Sequence, residues 1–459
     1  TVFTIENIKS KGQRTGSGYV GGLFGRLDLT GYAYAVDENG KLKKTEKSLN
    51  SNVYAKITDI ENSAKVMRTG MTDNYFGGII GELDAHSTVV DITPAEGKEY
   101  SLVNTAKASV TGGGYAGGIF GNLLLNNGTV TIQDKAGNIG TKQTIITDLM
   151  NQGNVTGGNS SFVGGVIGYL DYVDKETVAY TVYNLHNSGT IKAENTDKVG
   201  GIFGSVKNYH IYGLQKNTNM HYVPQKFVNS GSINGTGTYV GGIVGYTANN
   251  ISNVSLELKD SQITEIPSDF KLLSNSENNV VDKLVPKDAE DRTYLPNGYP
   301  FIKNEGVITI KGSSYVGGIT GKIENALLSY VEVDTNVTVS GTSNYIGGVA
   351  GSYKPGTMSD YTKRMNITSR AKITSGSYVG GLLGEYDIET AQHTYLEDMT
   401  YYIGSISGAN YVGGLFGSIV GAKAILTFKE PNTFGKPQND LDTGNPVVSI
   451  DTLDRKSVV

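Results

Sequence analysis

The sequence contains no cysteine and no tryptophan, and only five of its 459 residues are histidine. Without cysteine the chain has neither a disulfide framework nor a thiol-based site, and its redox compartment cannot be read from cysteine usage. None of the histidines shows the HExxH pattern or another zinc-ligand spacing. They are His86, His186, His210, His221 and His393. Because GxSxG and P-loop motifs are missing as well, the sequence offers no recognisable catalytic centre.

Long apolar runs and concentrated charge are also missing. No apolar run approaches the roughly 18–20 residues that a membrane-spanning helix needs. The net charge is −5 and the charges are dispersed, so the chain lacks the basic patch that nucleic-acid binding requires. The sequence begins TVFTIENI without an initiating methionine, and we therefore expect a mature product or a piece of a longer protein.

The dominant feature of the sequence is a seven-residue motif, aromatic-apolar-Gly-Gly-apolar-apolar-Gly, which occurs ten times. We call it the Gly-Gly motif. The copies occupy 19–25, 75–81, 115–121, 162–168, 199–204, 239–245, 315–321, 345–351, 378–384 and 411–417, and the copy at 199–204 lacks the aromatic residue. Ten copies with three glycines each account for 30 of the 62 glycines, so the glycine content does not indicate a flexible linker. Repetition at a period of tens of residues predicts a solenoid or another repeat array.

A second element, Asn-x-Gly/Ala-x-Val/Ile, precedes several copies of the motif. It occupies 62–66, 151–155, 187–191, 229–233 and 304–308. Because Asn and Gly tolerate left-handed turn geometry, we place this element at a corner between strands. The β-branched residues that follow it favour strand over helix.

In a continuous strand, side chains alternate between two faces. Over residues 19–27 this places Leu23 on one face and Phe24 on the other. Because the position of Leu23 is always Ile, Val or Leu, we expect its face to be the interior, provided that the glycine pair introduces no bulge. The glycines leave room for a neighbouring side chain such as the tyrosine. Representative structural residues are Tyr19, Gly21, Gly22, Gly25, Tyr239, Gly241, Gly242, Gly245, Tyr411, Gly413, Gly414 and Gly417.

Ten strand-and-turn units with almost no helical periodicity predict an all-β, elongated parallel β-solenoid. A β-propeller is the rival interpretation, but separations of 30 to 76 residues between glycine pairs favour an open stack over a closed ring. We assign residues 1–428 to the stacked repeats and residues 429–459 to a cap or linker. Within the latter, residues 447–450 are expected to form one closing strand.

The motif YVGGLFG, with Asn-x-Gly-x-Val ahead of it, resembles the GLUG-type repeat of bacterial surface and secreted proteins. Such repeats occur in adhesin-like proteins and in the non-catalytic part of IgA-specific metallopeptidases. The resemblance covers residues 1 to about 428. It implies a right-handed β-helical stalk at a bacterial cell surface, and it assigns no catalytic residue and no cofactor.

Four segments interrupt the repeats, at 30–52, 171–183, 208–222 and 263–300, and we interpret them as inserted loops. The first is expected to be a hairpin that turns near Asn39. Aromatic and charged side chains on such loops often bind partners, although they also simply cover an outer face or remain solvated. The candidate contact residues are Tyr32, Tyr34, Lys43, Lys44, Tyr172, Tyr180, Tyr183, Tyr209, Tyr212, Asp288, Asp291, Arg292 and Tyr294.

Carboxylates recur just after the motif, at Asp28, Asp84, Asp171 and Asp387, with Glu324 in the equivalent place. Ca²⁺ takes six to eight oxygen ligands. Only the first two aspartates come from successive copies, so a role in turns is favoured over a Ca²⁺ site.

Together these features predict an extracellular adhesion or structural module without catalysis. Its expected partners are a host-cell or matrix protein, a glycan, or other copies of itself. Two alternatives stay open. One is a carbohydrate-active β-helix enzyme, which needs two carboxylates about 5–9 Å apart for hydrolysis. The other is a self-assembling filament or sheath subunit.

Overall fold

The computed structural model is all-β, and none of the residues that it describes lies in a helix, which confirms the all-β part of the predicted fold class. The described residues are 2–29, 34–36, 42–44, 54–70, 74–133, 139–173, 181–216, 222–253, 270–275, 280–286, 301–312, 315–329, 331–333, 338–342, 344–356, 364–365, 367–374, 376–388, 393–396, 401–402, 404–421, 425–429 and 446–450. This part of the chain also contains no helix long and apolar enough to cross a membrane.

Three large sheets hold most of the strands, and every pairing within them is parallel. We call them sheets 1, 2 and 3, in the order in which each repeat enters them. Sheet 1 contains Val2–Ser10, Tyr54–Asn62, Val89–Ile92, Leu102–Asn104, Ile145–Asn151, Val182–Asn187, Phe227–Asn229 and Ile302–Asn304.

Sheet 2 receives the strands that end at the glycine pair. It contains Gln13–Gly16, Val20–Gly21, Lys65–Arg68, Tyr75–Gly77, Ser109–Gly117, Asn154–Gly164, Ile191–Gly200, Ile233–Gly241, Ile308–Ile310, Tyr315–Gly317, Thr338–Gly341, Tyr345–Gly347, Lys372–Thr374, Tyr378–Gly380, Ile406–Ser407 and Tyr411–Gly413.

Sheet 3 takes one strand from each of the ten motif copies, in chain order. It contains Phe24–Asp28, Ile80–Asp84, Phe120–Leu125, Ile167–Tyr172, Phe203–Lys207, Val244–Thr247, Thr320–Ala326, Ala350–Pro355, Leu383–Asp387 and Phe416–Val420. Since β-branched and aromatic residues are enriched along these segments, strand formation agrees with their local preference.

The Gly-Gly motif spans two sheets, and this corrects the continuous strand expected from the sequence. In the copy at 75–81, the strand Tyr75–Gly77 ends at the first glycine and the strand Ile80–Asp84 begins three residues later. The chain bends in between, so Ile79 and Ile80 both point inward and both are fully buried. The Phe24 position is therefore interior like the Leu23 position. In the copy at 115–121 the equivalent position is occupied by Phe120, which is fully buried.

Successive motif copies align residue for residue. Tyr239 pairs with Tyr315, and the following Gly241 pairs with Gly317. The same register continues through the later copies at 345, 378 and 411. One hydrophobic cluster consequently runs from Ile5 to Ile419. Each aliphatic side chain buried there contributes roughly 1.5–3 kcal/mol before the cost of ordering the chain.

The remaining strands form smaller sheets. Two are three-stranded and parallel, with Ile211–Tyr212, Ile251–Ser252 and Leu328–Ser329 in one and Val331–Val333, Ile367–Ser369 and Tyr401–Tyr402 in the other. A four-stranded sheet contains Arg364–Met365, His393–Leu396, Ile425–Lys429 and Pro446–Ile450. The last strand runs antiparallel to its neighbour and contains the closing strand predicted at 447–450.

Within the described residues, four antiparallel hairpins lie outside the three large sheets. They pair Tyr34–Val36 with Leu42–Lys44, Thr129–Gln133 with Ile139–Gln143, Leu214–Lys216 with Tyr222–Pro224, and Phe270–Asn275 with Val280–Pro286. The first confirms the hairpin predicted within 30–52. The hairpin at 129–143 lies outside the four segments that the sequence predicts as insertions.

Candidate functional site

The residues that begin the motif, aromatic in nine of the ten copies, form a column on the outside of sheet 2, which we call the aromatic column. Its members are Tyr19, Tyr75, Tyr115, Phe162, Lys198, Tyr239, Tyr315, Tyr345, Tyr378 and Tyr411. Adjacent rings lie with centroids from 4.6 to 5.4 Å apart. Because each ring face is covered by the next ring, the column presents mainly ring edges to solvent.

Lys198 interrupts the aromatic column. Its Nζ lies 4.6 Å from the centroid of the Phe162 ring and 5.5 Å from that of Tyr246. The same ammonium is 2.6 Å from Oδ2 of Asp197. A cation over two aromatic rings partly replaces the missing aromatic stacking, so the packing of the repeats continues across this position.

A polar column runs beside the aromatic column on sheet 3 and consists of the residue after the last glycine of each motif. Its members are Arg26, Glu82, Asn122, Tyr169, Ser205, Tyr246, Lys322, Ser352, Glu385 and Ser418. Several of them contact each other between repeats. Arg26 Nε donates to Glu82 Oε1 at 2.7 Å, and Asn122 Nδ2 donates to Glu82 Oε2 at 2.8 Å. The two columns therefore tie neighbouring repeats together on the outer surface.

In the polar column, Glu385 is a residue whose charged form is disfavoured by its surroundings. Burial raises the pKa of its carboxyl, and the charge of Asp387 adds to this effect, while the hydrogen bond from Ser352 opposes it. That hydrogen bond, from the serine Oγ to Glu385 Oε1, is 2.9 Å long. A carboxyl whose pKa is higher in the folded protein than in the unfolded chain destabilises the fold as the pH rises through the raised pKa.

We expect Glu385→Gln to stabilise the protein at neutral pH by roughly 0.5–1 kcal/mol, because glutamine can accept the same hydrogen bond without a charge. The gain should disappear in acid, below the ordinary carboxyl pKa, where Glu385 is protonated in both states. Urea unfolding at a series of pH values measures this difference.

Glu324→Gln provides the matched control. Burial raises the pKa of Glu324, but hydrogen bonds from Lys322 and Tyr246 outweigh burial and leave the pKa lowered. The substitution should therefore destabilise the protein at neutral pH. Shifts of the same sign in both variants would contradict this account of the polar column.

A ladder of buried asparagines lies inside the molecule at the end of the sheet 1 strands, and we call it the asparagine ladder. Its members are Asn62, Asn104, Asn151, Asn187, Asn229 and Asn304. All are fully buried, and the Nδ2 of each donates to the Oδ1 of the next at 2.7–2.8 Å. Five of these positions belong to the Asn-x-Gly/Ala element. Asn104 does not match that pattern, because its segment has Ala108 where the other copies have Val or Ile.

The corner predicted for the Asn-x-Gly/Ala element is present, but it does not depend on left-handed backbone geometry at the asparagine. Asn187 closes its own corner, since its Oδ1 accepts from the Gly189 N–H at 3.2 Å and its Nδ2 donates to the Gly189 carbonyl at 3.0 Å. The left-handed residues of sheet 1 lie three positions earlier, as at Asp148 and Asn184, with φ of 59° and 55°. The ladder asparagine therefore acts through its side chain.

In the first six motif copies the second glycine of the pair lies against this ladder. A Cβ added at Gly78 would be 2.7 Å from both Cγ and Nδ2 of Asn104, and still closer to the carbonyl of Gly118. The space expected to hold a tyrosine is thus occupied by an asparagine side chain and a backbone carbonyl. Close approach, rather than left-handed geometry, requires glycine at this position.

The predicted contact residues divide into four groups. Tyr172, Tyr209 and Tyr212 are 0%, 0% and 8% exposed, so the interior position of their rings corrects their assignment to a binding surface. Tyr183 is partly buried and packs against the core. The backbones of Tyr34, Lys43 and Lys44 lie in the first hairpin. The others lie outside the described residues: Tyr32, Tyr180, Asp288, Asp291, Arg292 and Tyr294.

The carboxylates considered for Ca²⁺ binding form ion pairs. Arg26 NH2 lies 3.6 Å from Asp28 and 3.3 Å from Asp84. Further along, Lys207 contacts Asp171 at 2.9 Å. Within the described residues, no group of three or more His, Asp or Glu side chains is arranged to hold a metal ion.

Comparison with known proteins finds no matching protein family, no matching curated protein and no matching solved structure.

Proposed function

We propose that this chain is a non-catalytic stalk of a bacterial surface or secreted protein, built as an elongated, right-handed parallel β-solenoid. The observation that supports this proposal is the in-register pairing of all ten motif copies in sheet 3. With about 4.8 Å between neighbouring strands, nine steps extend the stack by roughly 45 Å. Length that grows with repeat number is what a stalk needs, because each repeat contacts only its neighbours.

The internal ladders support the same proposal. The asparagine ladder runs without a break from Asn62 to Asn304, and aromatic rings stack in the same direction on both sides of Lys198. Both sets of contacts resist bending and slippage of one repeat against the next. Rigid scaffolds commonly carry binding loops. In this proposal the inserted segments at 30–52 and 263–300 contact the partner, which is a host-cell or matrix protein, a glycan or a second copy. The GLUG-like motif supports the extracellular location.

Deletion of the two inserted segments tests the binding part of this function. We expect each deletion to weaken binding to host cells or matrix proteins at least about tenfold, as loss of an interface centre does. Removal of residues 129–143, a hairpin that carries none of the predicted contact residues, is the matched control and should leave binding unchanged. Binding that survives both deletions would remove the case for the inserted segments.

Small-angle X-ray scattering on the intact chain tests the stalk itself. The scattering curve is expected to fit a stack of ten repeats that extends over roughly 45 Å. A curve that instead fits a closed ring of repeats, or separate globules, would overturn the stalk proposal even if the segments bind a partner.

A further inference from the structure

A polar groove of about 540 Å³ lies on sheet 2, just ahead of three successive motif copies. The same short segment of each repeat lines it, at residues 159–161, 195–197 and 236–238, and Gly312 adds to the lining. This volume falls within the roughly 300–1,000 Å³ typical of small-ligand sites. The groove is separate from all four inserted segments.

The groove has a preformed shape because its backbone bulges outward. Asn159 and Asn195 are both left-handed, each with φ of 49°. The Asn195 Nδ2 donates to Asn159 Oδ1 at 3.3 Å, and the Asn195 backbone N–H donates to Thr236 Oγ1 at 2.7 Å. These bonds hold the three segments in place before any ligand arrives, which reduces the ordering cost of binding.

The lining is rich in hydroxyl and amide groups and carries no unbalanced charge. Asp197 is the charged side chain in the lining, and its carboxylate is already paired with Lys198 at 2.6 Å. The uncharged polar side chains of the lining that are exposed or partly buried are Asn159, Ser161, Asn195, Thr236 and Thr238. Their hydroxyl and amide groups are within reach of a ligand that lies in the groove.

We propose that this groove binds a neutral oligosaccharide. Sugar hydroxyls both donate and accept hydrogen bonds, as do the Ser, Thr and Asn side chains that face them. An apolar ligand would leave these groups unpaired, and a charged ligand would find no free counter-charge in the lining. The inference goes beyond the stalk function, because it places a binding site on the repeats themselves.

Isothermal titration calorimetry with the full chain tests this site, with neutral tetrasaccharides of glucose, mannose and N-acetylglucosamine as probes and tetragalacturonate as an anionic comparison. We expect at least one neutral probe to bind. Thr238→Arg should weaken that binding about tenfold or more, by filling the groove and leaving sugar hydroxyls unpaired. Asn159→Gly removes the amide that accepts from Asn195 while permitting the same left-handed backbone, so it should weaken binding. A circular-dichroism spectrum like that of the parent should show that the strands remain.

The matched control is Thr374→Arg, which changes a partly buried threonine of the same sheet outside the groove. It should bind the probe as the parent does. The proposal is overturned if no neutral probe binds at millimolar concentration, if tetragalacturonate binds more tightly, or if both groove variants bind like the parent. Every variant keeps the inserted segments, so failure here leaves the deletion experiment on the stalk unaffected.

Discussion

Gly201→Ala is expected to unfold the repeats on either side of it, with a cost above about 4 kcal/mol. A Cβ at this position would lie 2.6 Å from Asn229 Nδ2 and closer still to the carbonyl of Gly242. Neither group can retreat, because the asparagine is fully buried in its ladder and the carbonyl belongs to the next repeat. Hydrogen exchange of the backbone amides in neighbouring repeats should accelerate strongly.

Gly414→Ala is the matched control, since it changes the same glycine of the last motif copy. No described atom lies within 4 Å of the Cβ that it would add. The Gly414 variant should therefore melt like the parent protein. Equal losses in the two variants would mean that intrinsic backbone preference, rather than close approach between repeats, selects glycine at this position.

Asn187→Ala is expected to lower the free energy of unfolding by at least about 3 kcal/mol. The change removes the bond accepted from Asn151 at 2.7 Å and the bond donated to Asn229 at 2.8 Å. It also removes both bonds to Gly189. Four buried polar groups then each lose a hydrogen-bond partner, although Asn151 Nδ2 keeps its bond to the Gly153 carbonyl at 2.8 Å. Each lost bond leaves a desolvation penalty in a buried site.

The urea-unfolding midpoint, with amide exchange as a local probe, measures this loss, because a repeat array does not unfold in a single step. The control is Asn154→Ala, an exposed residue whose Oδ1 accepts one bond from the Thr190 N–H at 3.1 Å. Its effect should stay within about 0.5 kcal/mol. Similar losses in the two variants would show that the buried ladder adds nothing specific.

Much of the fold follows from the repeated motif alone. Ten copies in one chain predict a stack in which equivalent residues meet, and Gly380 indeed pairs with Gly347 on one side and Gly413 on the other. β-Branched residues around the motif predict strands, and the antiparallel pairing of Tyr34 with Lys44 agrees with the predicted hairpin.

The details of the interior did not follow from alternation. Strand periodicity assigns Leu23 and Phe24 to opposite faces, whereas both positions point inward because the chain bends after the glycine pair. Tyr172 and Tyr209 were assigned to loops because aromatic residues in irregular segments resemble binding residues. Their rings instead stack 5.6 Å apart inside the molecule.

The sequence by itself determined that equivalent segments lie side by side in parallel sheets, since hydrophobic pattern and repetition are properties of the chain. Only the tertiary structure decided what each repeated residue does. An asparagine typical of turns becomes one member of a buried ladder when Asn229 and Asn304 come into hydrogen-bond distance. A glycine becomes indispensable only where another repeat passes over it. Both roles depend on contacts between residues tens of positions apart, which local preference does not encode.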